Sequence, residues 1–190
     1  MSNSALVIGV VVVAIFVVIA IALIVKSQRS QRLKSRFGPE YNRAVEETGS
    51  KTQAEAKLEK LAKRVRSFKI NELSPTARAD SISAWQKIQG RFVDDPKSAL
   101  AEADTLIQKI MMARGYPVTE FEQRAADLSV DHPLIVEHYR AGHDIAVRHA
   151  QGQASTEDMR QAMIHYRTLF GELAGEPDLT PSTAAGGARG

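Results

Sequence analysis

From Ala5 to Val25 the chain presents 21 consecutive positions without a charged or polar side chain, and Gly9 is the only interruption. At about 1.5 Å of rise per residue such a run makes a helix of roughly 32 Å, close to the ~30 Å hydrocarbon core of a bilayer. Val, Ile, Leu and Ala dominate it. In lipid the backbone must satisfy its own hydrogen bonds, so the β-branched residues do not prevent a helix. A secretory signal peptide is the rival reading, with a basic start, an apolar run of about 7–15 residues and a small-residue cleavage site. Met1 to Ser4 carries no Lys or Arg, the run is too long, and Ile24-Val25-Lys26-Ser27-Gln28 is a poor cleavage site. The pattern predicts an uncleaved transmembrane anchor over residues 1–25, spanning Ala5, Gly9, Phe16 and Val25.

After Val25 the period changes to that of amphipathic helices. Residues 26–37 form a basic juxtamembrane segment that continues the first helix. Phe37-Gly38-Pro39 breaks it, and Pro39 suits a first helical position. A short helix is expected from Pro39 to Glu47, closed by Thr48-Gly49. Ser50 and Gln53 read as a capping box. The helix after it places Ala54, Leu58, Leu61, Val65 and Phe68 on a two-heptad seam, too short for a coiled coil. Ser74-Pro75 opens a helix with Ile82, Trp85, Ile88 and Phe92 on its apolar face. Asp94-Asp95-Pro96 opens the next, whose stripe is Leu100, Ala103, Leu106, Ile107, Ile110 and Met111, with Gly115 and Pro117 as stop signals. Thr119-Glu120-Phe121-Glu122 reads as a second capping box, before a short helix using Phe121, Ala125 and Leu128. Val130-Asp131-His132-Pro133 leads into a longer helix that ends near Gly152, with Asp131 as its expected cap. Ser155-Thr156-Glu157-Asp158 opens the last, lined by Met159, Met163, Tyr166, Phe170 and Leu173. No segment reads as a strand. The expected fold is therefore all-α: the transmembrane helix, a helical-bundle domain of six to seven helices over residues 38–174, and a disordered tail over 175–190, where Pro, Gly and small residues take over.

Charge sets an orientation. Lys26, Arg29, Arg32, Lys34 and Arg36 crowd the C-terminal flank of the apolar run, and no acid precedes Glu40. By the positive-inside rule this flank faces the cytoplasm and the N-terminus lies outside. The same five cations are the candidates for contact with lipid headgroups, at about 1 kcal/mol for each one near the surface. Five of the 25 Lys and Arg lie in this flank, so 20 remain against 22 Asp and Glu. The rest of the chain is thus slightly acidic, which argues against nucleic acid as a partner. Cysteine is absent, which excludes disulfides, a thiolate nucleophile and Cys-ligated metal. Ala5 and Gly9 have the small-xxx-small spacing of closely packed spans, which leaves a homo-oligomer open, although an Ala-rich run also produces it by chance. One short echo, V-D-x-P at Val93 and Val130, is explained by capping chemistry without an internal repeat.

The histidines attract attention first. His132, His138, His143 and His149 fall within 18 residues, with Glu137 and Asp144 among them. A zinc helix needs two histidines at i and i+4. His138 and His143 are five apart, turned about 140° around the axis, and His138 and His149 lie about 16 Å apart along it. A metal site would need His165 and carboxylates from other helices, so no metal or cofactor is expected. Tyr139-Arg140 and Tyr166-Arg167 set an aromatic ring beside a cation on the last two long helices and mark a candidate interaction groove between them. No phosphate-cradling or nucleophile-elbow motif occurs, and no enzymatic activity is expected.

The N-terminal span, the Arg32-Leu33-Lys34-Ser35-Arg36-Phe37-Gly38-Pro39-Glu40-Tyr41 junction, Phe92-Val93-Asp94-Asp95-Pro96, Arg114-Gly115-Tyr116-Pro117 and His165-Tyr166-Arg167 together resemble an uncharacterised bacterial family of single-span membrane proteins. The resemblance covers most of the chain short of the tail. It implies no activity, cofactor or site. The sequence leads to the expectation of a membrane-anchored, non-enzymatic interaction or scaffold module at the bacterial inner membrane, with lipids and a protein as partners. An anionic-lipid-binding protein that organises the membrane is the alternative, followed by a His-containing metal or small-molecule binder.

Overall fold

The computed structural model describes residues 3–176, with side chains from residue 11 onward. The chain is all-α, with eight helices and no strand among the described residues. They are α1 (Asn3–Phe37), α2 (Pro39–Thr48), α3 (Lys51–Val65), α4 (Pro75–Arg91), α5 (Pro96–Arg114), α6 (Phe121–Ser129), α7 (Ile135–Ala150) and α8 (Thr156–Ala174). The chain divides into two compact units, Met1–Glu59 and Lys60–Gly190, and the division falls inside α3. Residues 38–174, expected as the helical domain, lie across this division. The expected tail lies outside the described residues except for Gly175 and Glu176. Gly175 closes α8 at φ +73.

In the first unit α1 runs without a break from the apolar stretch to Phe37, and the turn to α2 is made by Gly38 at φ +49, ahead of Pro39. A non-glycine residue is strained there, which accounts for the sharp stop. Ser30, Leu33 and Phe37 are buried along one face of α1, as are Tyr41 and Ala44 of α2 and Ala54 and Leu58 of α3. Polar groups join the three helices. Ser30 Oγ lies 3.4 Å from Tyr41 Oη, and that hydroxyl donates to Glu55 Oε1 at 2.9 Å. Burial opposes ionisation of Glu55. The Ser30 and Tyr41 hydroxyls, with Lys51 and Arg29 nearby, outweigh it and hold the carboxyl below its usual range. The N–H of Ser50, which a capping box would assign to Gln53, donates to Thr48 Oγ1.

The second unit is a bundle in which α8 packs against α7, α5 and α4. Its seam residues Met159, Met163, Tyr166, Phe170 and Leu173 are all buried. Trp85 of α4 stacks on Phe170 with ring centroids 4.9 Å apart. The six expected stripe residues of α5 are buried as well. Capping follows the sequence at three starts. Ser74 accepts from Ala77 N–H, Asp95 from Ser98 N–H, and Ser155 and Asp158 form a reciprocal capping box. It fails at two. The N-cap position of α6 is Glu120, without a side-chain cap bond, and Thr119 Oγ1 is buried without a hydrogen-bond partner among the described residues. Similarly α7 starts at Ile135 rather than after Asp131, because His132 N–H turns back to Leu128 O and carries the chain through an extra turn. The two V-D-x-P segments therefore have different structures.

Candidate functional site

Two regions hold the residues to which the sequence drew attention, and a third is a groove that the structure adds. The first is α1. Its side chains from Val11 to Val25 are uniformly exposed, Phe16 at 67 %. Among the described residues one helix is long and apolar enough to cross a membrane, and none of its most apolar stretch is buried. The exposure of Ala5 and Gly9 lies outside the described set. Lys26, Arg29, Arg32, Lys34 and Arg36 are all exposed, but the structure does not treat them alike. Arg29 makes a two-pronged ion pair with Glu59. Lys34 Nζ sits 5.4 Å from the centre of the Tyr41 ring.

The second region is the α7–α8 interface, where the sequence placed a groove. Tyr139 and Tyr166 are fully buried. The ring of Tyr166 passes so close to Gly142 that a Cβ there would lie 3.3 Å from it. This contact closes the interface, so the two tyrosines are core residues with satisfied hydroxyls instead of groove walls. Tyr166 Oη donates to Asp104 Oδ1 of α5 at 3.0 Å, and Tyr139 Oη accepts from Arg124 Nε of α6 at 3.1 Å. Gln108 donates to the other Asp104 oxygen at 2.6 Å. Burial raises the pKa of both phenols, and the Asp104 charge adds to the effect at Tyr166. Arg140 pairs with Glu122 at 2.6 Å, and Arg167 is exposed. The four residues do not converge.

The histidines separate as their spacing implies. His138 faces α8 and meets His165 with their Nδ1 atoms 2.9 Å apart, while His143 faces α6 and stacks on Phe121 with centroids 3.5 Å apart. His132 Nδ1 lies 2.8 Å from Glu172 Oε1. Among the described residues no three His, Asp or Glu side chains are grouped to hold a metal. The His138–His165 bond requires one Nδ1–H donor and one Nδ1 lone pair, so protonating both rings removes it. Burial lowers the pKa of His143, with Arg124 adding to this and Asp104, Glu122 and Asp144 opposing it. Burial and then His138 lower that of His165. Both folded pKa values thus lie below the unfolded one of about 6.5. The unfolded chain binds more protons, so stability is full above that pH and falls as the pH drops through the depressed values. We expect the urea midpoint of the full chain in detergent, followed by Trp85 fluorescence, to fall between pH 7.5 and 5.5. In the double variant His143→Gln/His165→Gln this slope should flatten.

The third region was not marked by the sequence reading. An open groove of about 330 Å³ runs between α4 and α5, lined by Ala84, Lys87, Ile88 and Arg91 on one wall and Glu102, Thr105, Leu106 and Lys109 on the other. Each wall is an i, i+3, i+4, i+7 stripe, the spacing of one helix face. Ile88 and Leu106 form the floor, and Arg91 and Glu102 are ion-paired across one end. The stripes could have been read from the sequence, but α4 and α5 each carry a stronger apolar stripe that drew the assignment.

Among the described residues the protein is all-helical, with one helix long and apolar enough to span a membrane. No protein-family model, no curated protein and no solved structure matches the chain.

Proposed function

We propose that the protein is a single-pass, membrane-anchored interaction module without enzymatic activity, held at the bacterial inner membrane with its N-terminus outside and its helical units in the cytoplasm. The observation that carries this reading is the uninterrupted exposure of the apolar side chains of α1. Fifteen residues of Val, Ile, Ala, Leu and Phe from Val11 to Val25 with no protein cover need an apolar surrounding, because exposed apolar surface costs about 25 cal/mol per Å². The basic flank supports the orientation.

The same helix weighs against specific lipid recognition as the main role. Counting from Val25 at about 1.5 Å per residue, Lys26 and Arg29 lie within the roughly 5–8 Å headgroup layer, whereas Arg32, Lys34 and Arg36 lie about 10–16 Å out along the axis. Arg29 is already engaged by Glu59. Direct headgroup contact then falls mainly to Lys26, and one cation at that depth is a topology signal more than a lipid-binding site.

A pair of reporters fused after Gly190, one active only in the cytoplasm and one only outside, tests the placement. Cytoplasmic activity is the expected result. Activity on the outer side reverses the orientation and removes cytoplasmic partners from consideration.

A further inference from the structure

The α4–α5 groove goes further than the general reading, and its chemistry names a class of partner. Its floor is apolar and its walls are two facing helix stripes, which is the geometry that receives a third helix. The small side chains of Ala84 and Thr105 let another backbone approach. The rim carries Lys87, Arg91 and Lys109 against Glu102 alone. Arg91 and Glu102 satisfy each other. Lys87 and Lys109 have no carboxylate within ion-pair distance among the described residues. Helix faces that lie in grooves are read through their i, i+3, i+4 and i+7 residues, with apolar side chains inward and charged ones at the rim. Two unpaired ammonium groups on opposite rims of an apolar floor therefore select a segment with carboxylates on both flanks of an apolar stripe.

We propose that this groove binds an acidic amphipathic helix of a partner protein. Its apolar residues rest on Ala84, Ile88 and Leu106, and its carboxylates meet Lys87 and Lys109. The Arg91–Glu102 pair closes one end and so sets how far the segment extends. The proposal rests on the interaction-module reading and deepens it by naming the partner's chemistry.

The test uses the full chain in discs of zwitterionic lipid and two labelled synthetic helices, each with a Leu stripe, one flanked by Glu and the other by Lys. Binding is read as anisotropy, with empty discs subtracted. We expect the Glu helix to bind about tenfold or more tightly than the Lys helix, the scale of two rim charge pairs. We also expect Lys87→Glu/Lys109→Glu to invert that order. Both lysines are exposed, and unchanged Trp85 fluorescence will show that the variant is folded. Equal affinity for the two helices, or charge reversal that leaves the Glu helix unaffected, overturns the proposal. A second arm places a photo-crosslinking residue at Thr105 or at Arg167 in cells. Attachment from Thr105 to an acidic helical segment of another protein supports the groove. Protein attachment from Arg167 but not from Thr105 overturns the groove and leaves the interaction module standing. Attachment from Thr105 to lipid or to a second copy of this chain also overturns it. No protein attachment from either position overturns both readings.

Discussion

Replacing Ile15 and Ile19 together with aspartate is expected to move the protein from the membrane pellet into the soluble fraction. Both positions lie well inside the apolar run, and both side chains are exposed, at 53 % and 50 %. On an insertion scale each exchange gives up a few tenths of a kcal/mol and adds about 2.5–3.5 kcal/mol near the helix centre. Two of them together cost roughly 6 kcal/mol, enough to offset the favourable contribution of many Val, Ile and Leu residues. Because these side chains are exposed and stand apart from the buried faces of the folded units, those units should be unaffected. The measurement is extraction at alkaline pH followed by blotting, with Ile15→Leu/Ile19→Leu as the control that stays in the pellet. If the aspartate variant resists extraction as the parent does, α1 is not what holds the protein to the membrane.

The second large effect is expected in the core of the α4–α8 bundle. Trp85 is 1 % exposed and stacked on Phe170. Truncation to alanine removes an indole from a site that cannot collapse without moving α8, at about 3–5 kcal/mol. That is a large part of the roughly 5–15 kcal/mol that holds a domain folded. Trp85→Phe is the informative companion. The indole Nε1 is buried without a hydrogen-bond partner among the described residues, so phenylalanine loses no bond and keeps an aromatic ring against Phe170. Its cost should stay below about 1.5 kcal/mol, as for swaps that largely conserve volume. Denaturation followed by far-UV circular dichroism reads both variants. Val93→Ala, at an 83 % exposed position, should leave the midpoint in place.

The elements most legible in the sequence are those whose causes are local. In α8, Ser155 and Asp158 cap the start, Gly175 ends it, and the apolar residues between them keep one helical period. All of that lies within about twenty residues of chain. The starts of α6 and α7 differ from the expected ones. Thr119 lends its carbonyl to Arg124, and the segment from Asp131 to Leu134 is drawn into a turn by Leu128. Tyrosine was the deeper ambiguity. An amphipathic ring at a core position looks the same in sequence whether its hydroxyl ends in solvent or on a partner. For Tyr166 that partner is Asp104, 62 residues away. No local pattern carries such a separation. The division within α3 is similar, since no Gly, Pro or turn residue stands near Glu59.

The uninterrupted course of α1 has a mechanical consequence. With no glycine or proline between Val25 and Phe37, the azimuth of the apolar stretch sets that of Ser30, Leu33 and Phe37. A turn of the upper rod about its axis arrives undiminished at the Ser30–Tyr41–Glu55 contact and at Arg29–Glu59. Each residue contributes about 100° of angle and 1.5 Å of length. One residue inserted after Lys26 would therefore present the wrong side of the rod to Tyr41, whereas seven would restore the angle to within about 20° and lengthen the shaft by roughly 10 Å. Torque along α1 would then be conserved while reach is changed, so twist and distance become separable inputs to the same joint.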